Sequence, residues 1–241
     1  MPLTSITGLI ERRILANYRI DPECMSRMLP APFRPQTVDG YAIGGICLIR
    51  LKQIRPSWFP FEWGLGSENA AHRIAVEWEA DGETKQGVYI PRRDTNSRLM
   101  AFAGGRLFSG VHHYANFAVR ESQEYYSVTM NGIDDKQSVH ISGCVANTIA
   151  ECSVFESLEA ASRFFEQGSL GYSQSTNAGR YDGLELNCKN WDVQAMDVDS
   201  IHSHFFEDRS QFPKGSVEFD CALLMRRIDH HWLQKPRLCC E

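Results

Sequence analysis

Four arginines, Arg92, Arg93, Arg98 and Arg106, precede two adjacent histidines, His112 and His113, in a stretch with no lysine between Gln86 and Asp135. Arginine presents a rigid fork of donors that matches a carboxylate or phosphate. Such a cluster suits an acidic small molecule, although Arg92 and Arg93 beside Asp94 also read as a solvated ion pair in a turn. An imidazole nearby would supply proton transfer, because it titrates near neutrality. In extended chain, neighbours face opposite sides, so only one of the two histidines can face a shared interior.

Other constellations carry less. His202-x-His204, with Glu207 and Asp208 close by, places two imidazoles on one strand face as candidate metal ligands. Pairs at this spacing are common by chance, and no metal site is assigned. His230-His231-Trp232 reads as packing at the end of a late strand. Arg73 and Glu77 share a strand face and read as a structural pair. The aromatic segment Trp58, Phe59, Phe61 and Trp63 is a lid or a packed loop. Serine-hydrolase, P-loop and dinucleotide signatures are absent, and no cofactor is implied.

Composition bounds the remaining classes. With 241 residues, 43% hydrophobic and 23% charged, the chain can bury a full core, and residues 1–241 read as one domain. A net charge of -5 argues against nucleic-acid binding, which leaves a basic footprint. No run of 18 apolar residues suggests a membrane helix, and the N-terminus lacks signal-peptide character, so a cytoplasmic location is the default expectation. The eight cysteines form no CxxC pair and read as reduced, small hydrophobes, with Cys239 and Cys240 in the tail.

The elements that must position these residues are mostly strands. Ile10–Ile20 looks like a first strand. Asp21-Pro22 then opens a short helix, with Asp as N-cap and Pro at the first helical position. Tyr41–Leu51 is apolar enough for a buried strand. Ile74, Val76 and Trp78 alternate with Ala75, Glu77 and Glu79, and Asp81-Gly82 turns the chain into a strand at Gly87–Pro91. Asn131-Gly132 is a hairpin signal between strands Tyr125–Met130 and Val139–Cys144. A helix is expected over Glu156–Gln167, with Ser153 and Glu156 as a capping box and Gly168 just beyond it. Late strands fall near Leu184–Val198 and Ser216–Arg226. This pattern is mainly β, an antiparallel barrel or sandwich with a few peripheral helices.

Several segments together resemble the acetoacetate decarboxylase-like superfamily: Asn17–Pro22 with its short helix, Gly66-Ser67-Glu68-Asn69, Arg93-Asp94-Thr95, and Gly105 through His113. The whole chain is more similar to a domain-of-unknown-function family (YqjF-like) grouped with that superfamily. The resemblance implies a cone-shaped antiparallel β-barrel around a small-molecule pocket. It places His113 at the Schiff-base lysine and Tyr114 at the adjacent lysine, with Glu68 as the pocket carboxylate. Histidine forms no stable imine, so decarboxylation through one is not expected.

The resulting expectation is a lyase, hydratase or isomerase acting on a small oxo- or hydroxy-carboxylate. His113 and Glu68 would be the acid–base pair, with Arg106, Arg93 and Tyr114 binding substrate. The alternative is a non-catalytic barrel that binds or senses a small ligand. Neither nucleic acid nor membrane is an expected partner, and a homo-oligomer is compatible with either reading.

Overall fold

The computed structural model describes residues 5–61, 63–104, 110–133, 137–176 and 179–239. The chain runs β1 (Ser5–Ile20), α1 (Pro22–Met28), β2 (Arg34–Pro35), β3 (Thr37–Val38), β4 (Tyr41–Pro56), β5 (Leu65–Ala80) and β6 (Glu83–Thr95). There follow α2 (Arg98–Ala103), β7 (His112–Glu121), β8 (Tyr125–Gly132), β9 (Ser138–Ala146), α3 (Leu158–Gln167) and β10 (Leu170–Gln174). The last elements are β11 (Arg180–Cys188), β12 (Gln194–Ser203), α4 (His204–Glu207) and β13 (Val217–Cys239).

One mostly antiparallel sheet runs in the order β11-β10-β6-β7-β8-β9-β12-β13-β1-β4-β5-β2. Further pairings of β5 with β6 and β11 with β13 roll it into a ring-like arrangement. The wall β13-β1-β4-β5-β6 is antiparallel throughout. Strand alternation gives this wall two apolar faces. One packs Ile14, Ile46, Leu48 and Ile74. The other packs Leu15, Cys47, Ile49, Leu223 and Met225 beneath Phe165 of α3. Each fully buried aliphatic side chain contributes roughly 1.5–3 kcal/mol.

Local signals fall where physical chemistry puts them. Asp21 accepts from the amides of Glu23 and Cys24 and caps α1. Ile74, Val76 and Trp78 are buried together, as their alternation requires. Asp81 and Gly82 both have positive φ (55° and 76°), the type I′ geometry that closes a tight hairpin.

Other expectations shift. β1 and β13 are longer than their apolar runs, because each pairs along both edges. The expected strand Leu184–Val198 is two strands with a break between them. Asn131-Gly132 lies inside β8, where Asn131 pairs with Ser138. α3 is capped by Ser157, whose side chain accepts from the amide of Ala160. Ser153 instead donates to Asp220. Its helix-starting pattern is overridden by a buried carboxylate across the fold. Cys240 lies outside the described residues, as does the side chain of Cys239.

Candidate functional site

A cavity of about 160 Å³ opens on the Cys47 face of the wall. Strand register explains what lines it. Three cross-strand rows run over β1, β4 and β5: Asn17–Gly45–Arg73, Leu15–Cys47–Ala71 and Arg13–Ile49–Asn69. The middle row continues, since Ala71 pairs with Arg93 on β6 and Arg93 with His112 on β7. Residues in register project from the same face. Arg13, Cys47, Asn69, Arg73, Arg93 and His112 therefore converge on one space.

Glycine makes room for the arginines. A Cβ on Gly45 would lie 2.5 Å from the Ala16 carbonyl oxygen and 3.3 Å from Arg73 Nη2. Without one, Arg73 crosses the central strand and donates to Asn17 Oδ1. Gly110, at φ +79°, lets Ser173 and Arg93 pack closely, and Arg93 Nε donates to Ser173 Oγ at 3.0 Å. Arg13 contacts Cys47 Sγ through Nε at 3.4 Å and lies 5.5 Å from the Trp191 ring. Arg73 stacks 4.6 Å from the Phe165 ring.

The electrostatics are lopsided. Among the described residues, Arg13, Arg73 and Arg93 have no carboxylate within ion-pair distance. Arg237, at the rim, is neutralised by Asp182 at 2.7 Å. Arg73 is 6% exposed, and its Nε has no hydrogen-bond partner. Asn69 Oδ1 is likewise buried and unpartnered. Burial pushes both Arg73 and Arg93 down to about 10. It pushes His112 down to about 3, with the Arg93 charge acting in the same direction. His112 is therefore neutral at physiological pH. Its Nδ1 lies 3.0 Å from the Gly110 carbonyl oxygen, and the Nδ1–H tautomer that donates there leaves a lone pair on Nε2.

Neither His113 nor Glu68, the expected pair, lines this cavity. His113 is in register with Asp94, one residue out of step with the cavity row, and is exposed. Glu68 lies on the face opposite Asn69 and Arg73. There it accepts from Arg12 at 2.5 Å and from Arg50, in a cluster that Glu121 completes. A carboxylate between two guanidiniums is an ion-pair hub, and no acid of β5 lines the cavity.

Of the expected substrate-binding residues, Arg93 lines the cavity. Tyr114 lies outside it, under the Arg98 guanidinium at 5.7 Å from the ring centroid. Arg106 lies outside the described residues. Arg92 holds Asp94 in a bidentate pair. Arg73 does not meet Glu77, which pairs with Arg34 at 2.7 Å. His202 and His204 do not share a strand face: His202 ends in β12 beside Glu207, and His204 begins α4. No three metal-binding side chains converge among the described residues. The aromatics Trp58, Phe61 and Trp63 are exposed and do not line the cavity.

Sequence reasoning passed over Arg13, Cys47 and Asn69 as site residues, read Arg73 as structural and favoured His113 over His112. The clue to Arg73 was an arginine amid the apolar run of β5. The clue to Arg13 was hidden by a register irregularity between Ile10 and Arg12, which reverses the facing of β1.

A family model, DUF2071, described as an uncharacterized conserved protein, matches residues 10–220. The chain belongs to this family. No curated protein matches it. Solved structures similar to this DUF2071 chain include acetoacetate decarboxylase from Legionella pneumophila, with a TM-score of 0.65 at 9% identity, covering 97% of this chain and 87% of that one. An acetoacetate decarboxylase-like enzyme from Sphingomonas wittichii RW1 gives 0.57 at 11% identity, covering 99% and 93%. The enduracididine biosynthesis enzyme MppR complexed with pyruvate gives 0.60 at 9%, covering 99% and 91%. These likenesses place the DUF2071 chain in the acetoacetate decarboxylase-like fold. No helix among its described residues is long and apolar enough to cross a membrane.

Proposed function

We propose that the cavity binds a small organic carboxylate. The observation that carries this is the group of three guanidiniums, Arg13, Arg73 and Arg93, on one wall with no carboxylate to neutralise them among the described residues. Burying a charge without a partner is costly, and an anionic ligand removes that cost. The orphaned Arg73 Nε and Asn69 Oδ1 offer a donor and an acceptor to a group that carries both. The apolar lining of Val88, Ile90, Leu184 and Trp232 limits the ligand to a short carbon skeleton. Solved relatives in fold include a protein bound to pyruvate, which supports the same ligand class.

The chemistry this site supports best is acid–base chemistry at a carbon next to a carbonyl, of the lyase, hydratase or isomerase kind. His112 is the proton-handling group. Burial holds the imidazole down first and the Arg93 charge second, and a bound carboxylate offsets the second of these when substrate is present. No lysine lines the cavity among the described residues, and the reading involves no imine.

Calorimetry with pyruvate and acetoacetate, against acetone as the uncharged control, tests binding. The oxo acids should bind and acetone should not, and equal binding of all three would overturn the carboxylate reading. Proton NMR in D2O tests the chemistry. Deuterium should enter the carbon next to the ketone, and His112→Gln should stop this while binding persists. Binding without any exchange in the wild type would leave a binding or sensing protein.

A further inference from the structure

The cavity wall also carries a nucleophile that the proposed acid–base chemistry does not use. Cys47 occupies the middle of the row Leu15–Cys47–Ala71–Arg93. Its neighbours explain why the thiol reaches the cavity: Ala71 is too small to cover it, and Gly45, two residues away on the same face, has no side chain. Among the described residues it is the cysteine that lines the cavity.

Guanidiniums surround it. Arg13 Nε contacts the sulfur at 3.4 Å. Arg73 lies in the row on one side of Cys47 and Arg13 in the row on the other. Arg93 lies in the same row as Cys47, beyond Ala71. Arg73 Nε, buried and unpartnered, points independently to an anionic ligand in the same space. A carboxylate bonded to a guanidinium that already touches the sulfur brings its own α-carbon close to that sulfur.

Building on the carboxylate reading above, we propose that Cys47 is a nucleophile of this cavity and adds to the carbonyl carbon of a bound 2-oxo carboxylate. The sulfur–carbon bond forms as the carbonyl π bond breaks. The electron pair moves to the oxygen, and the thiol's proton ends there, giving a hemithioketal. Nothing is oxidised or reduced, no group leaves, and the addition reverses by the same path. The ring of arginines would stabilise the alkoxide as it develops. This supplies the covalent hold on an oxo acid that a lysine would otherwise give.

Two alkylating reagents of similar size, iodoacetate and iodoacetamide, provide the test on the intact chain. Either forms a sulfur–carbon bond with loss of iodide, but only iodoacetate carries a carboxylate. Mass spectrometry would follow each cysteine, with exposed Cys144 and Cys152 as internal references. Relative to those references, Cys47 should favour iodoacetate by about tenfold or more, the value of one charge-assisted hydrogen bond. Pyruvate should protect it. With [2-13C]pyruvate, the wild type should show a carbon resonance of an sp3 centre bonded to sulfur and oxygen. Cys47→Ala should lose that resonance and keep a smaller thermal shift with pyruvate, the part that the arginines supply.

Failure at Cys47 by both reagents, with pyruvate still raising Tm, would overturn the nucleophile and leave the carboxylate reading standing. A hemithioketal resonance that survives Cys47→Ala would do the same. Equal alkylation of Cys47 by both reagents, with no protection by pyruvate, would overturn the carboxylate reading and the proposal with it.

Discussion

Replacing Arg73 with methionine should make the empty protein no less stable and at the same time abolish ligand binding. Burial pushes the Arg73 guanidinium well below its ordinary value, down to about 10. At about 1.4 kcal/mol per tenfold in proton affinity, the charged form costs about 3 kcal/mol in the fold. Below pH 10 both folded and unfolded chains carry this proton, so the full cost is present at pH 7 and is relieved only as pH rises above 10. Methionine removes it and fills most of the same space under Phe165. Against this, Asn17 Oδ1 loses its donor, worth about 1–3 kcal/mol. The sum lies between no change and about 2 kcal/mol of added stability. Ligand response moves the other way. At a pyruvate concentration of about 100 times Kd, the wild type should gain about 2.7 kcal/mol, or about 5–10 °C in Tm for a chain this long. Arg73→Met should start at or above the wild-type Tm and gain nothing. Thermal unfolding with and without pyruvate reads both quantities. A variant destabilised by more than about 3 kcal/mol would mean that Arg73 is a structural strut, and a retained pyruvate shift would remove it from the site.

Three further perturbations separate site from scaffold. His72 is fully buried against Phe205 with both ring nitrogens unpartnered, and burial pushes it down to about 3. Its stabilising neutral state is complete above pH 6.5 and opposes folding progressively below it, so His72→Phe should gain about 2 kcal/mol on the wild type between pH 7.5 and pH 5 in urea unfolding. Parallel pH profiles would contradict that. Gly45→Ala should cost about 1–3 kcal/mol by overpacking and weaken pyruvate binding, because its Cβ meets both the Ala16 carbonyl and the Arg73 path. Normal affinity in calorimetry would refute this. Glu68→Gln should cost about 1–3 kcal/mol, because Arg12 and Arg50 lose a shared carboxylate and keep only Glu121, yet leave pyruvate affinity unchanged, and His113→Ala should alter neither by more than about 0.5 kcal/mol. A loss of affinity in either variant would restore the pair that sequence reasoning first favoured.

Much of the fold was legible because it follows from local chemistry: the Asp21 cap, the alternation of β5 and the Asp81-Gly82 turn are each decided within a few residues. The superfamily likeness was carried by motifs in the first half of the chain, and the fold agrees. The site was less legible, because it depends on parity. Glu68 and Asn69 are neighbours, as are His112 and His113, and a strand sends one of each pair to either face. Which one faces the cavity is fixed by the pairings Ala71–Arg93 and Arg93–His112, which join residues far apart in sequence. Arg13 needed knowledge of an irregularity in β1 that no residue type announces. Ser153 carried a genuine helix-capping pattern, but Asp220, remote in sequence, claimed its hydroxyl.

The pairing of β1 with β13 joins the first strand to the last, from Ser5 opposite Leu233 to Ile20 opposite Val217. On a ribosome, β1 would emerge before β13 and wait with that edge unpaired until the residues between them had been made. Arg13 and the rim residues Trp232 and Arg237 come from these two strands. The cavity therefore exists only once the ring has closed. Binding competence arrives in one step with ring closure, which pairing so distant in sequence makes slow.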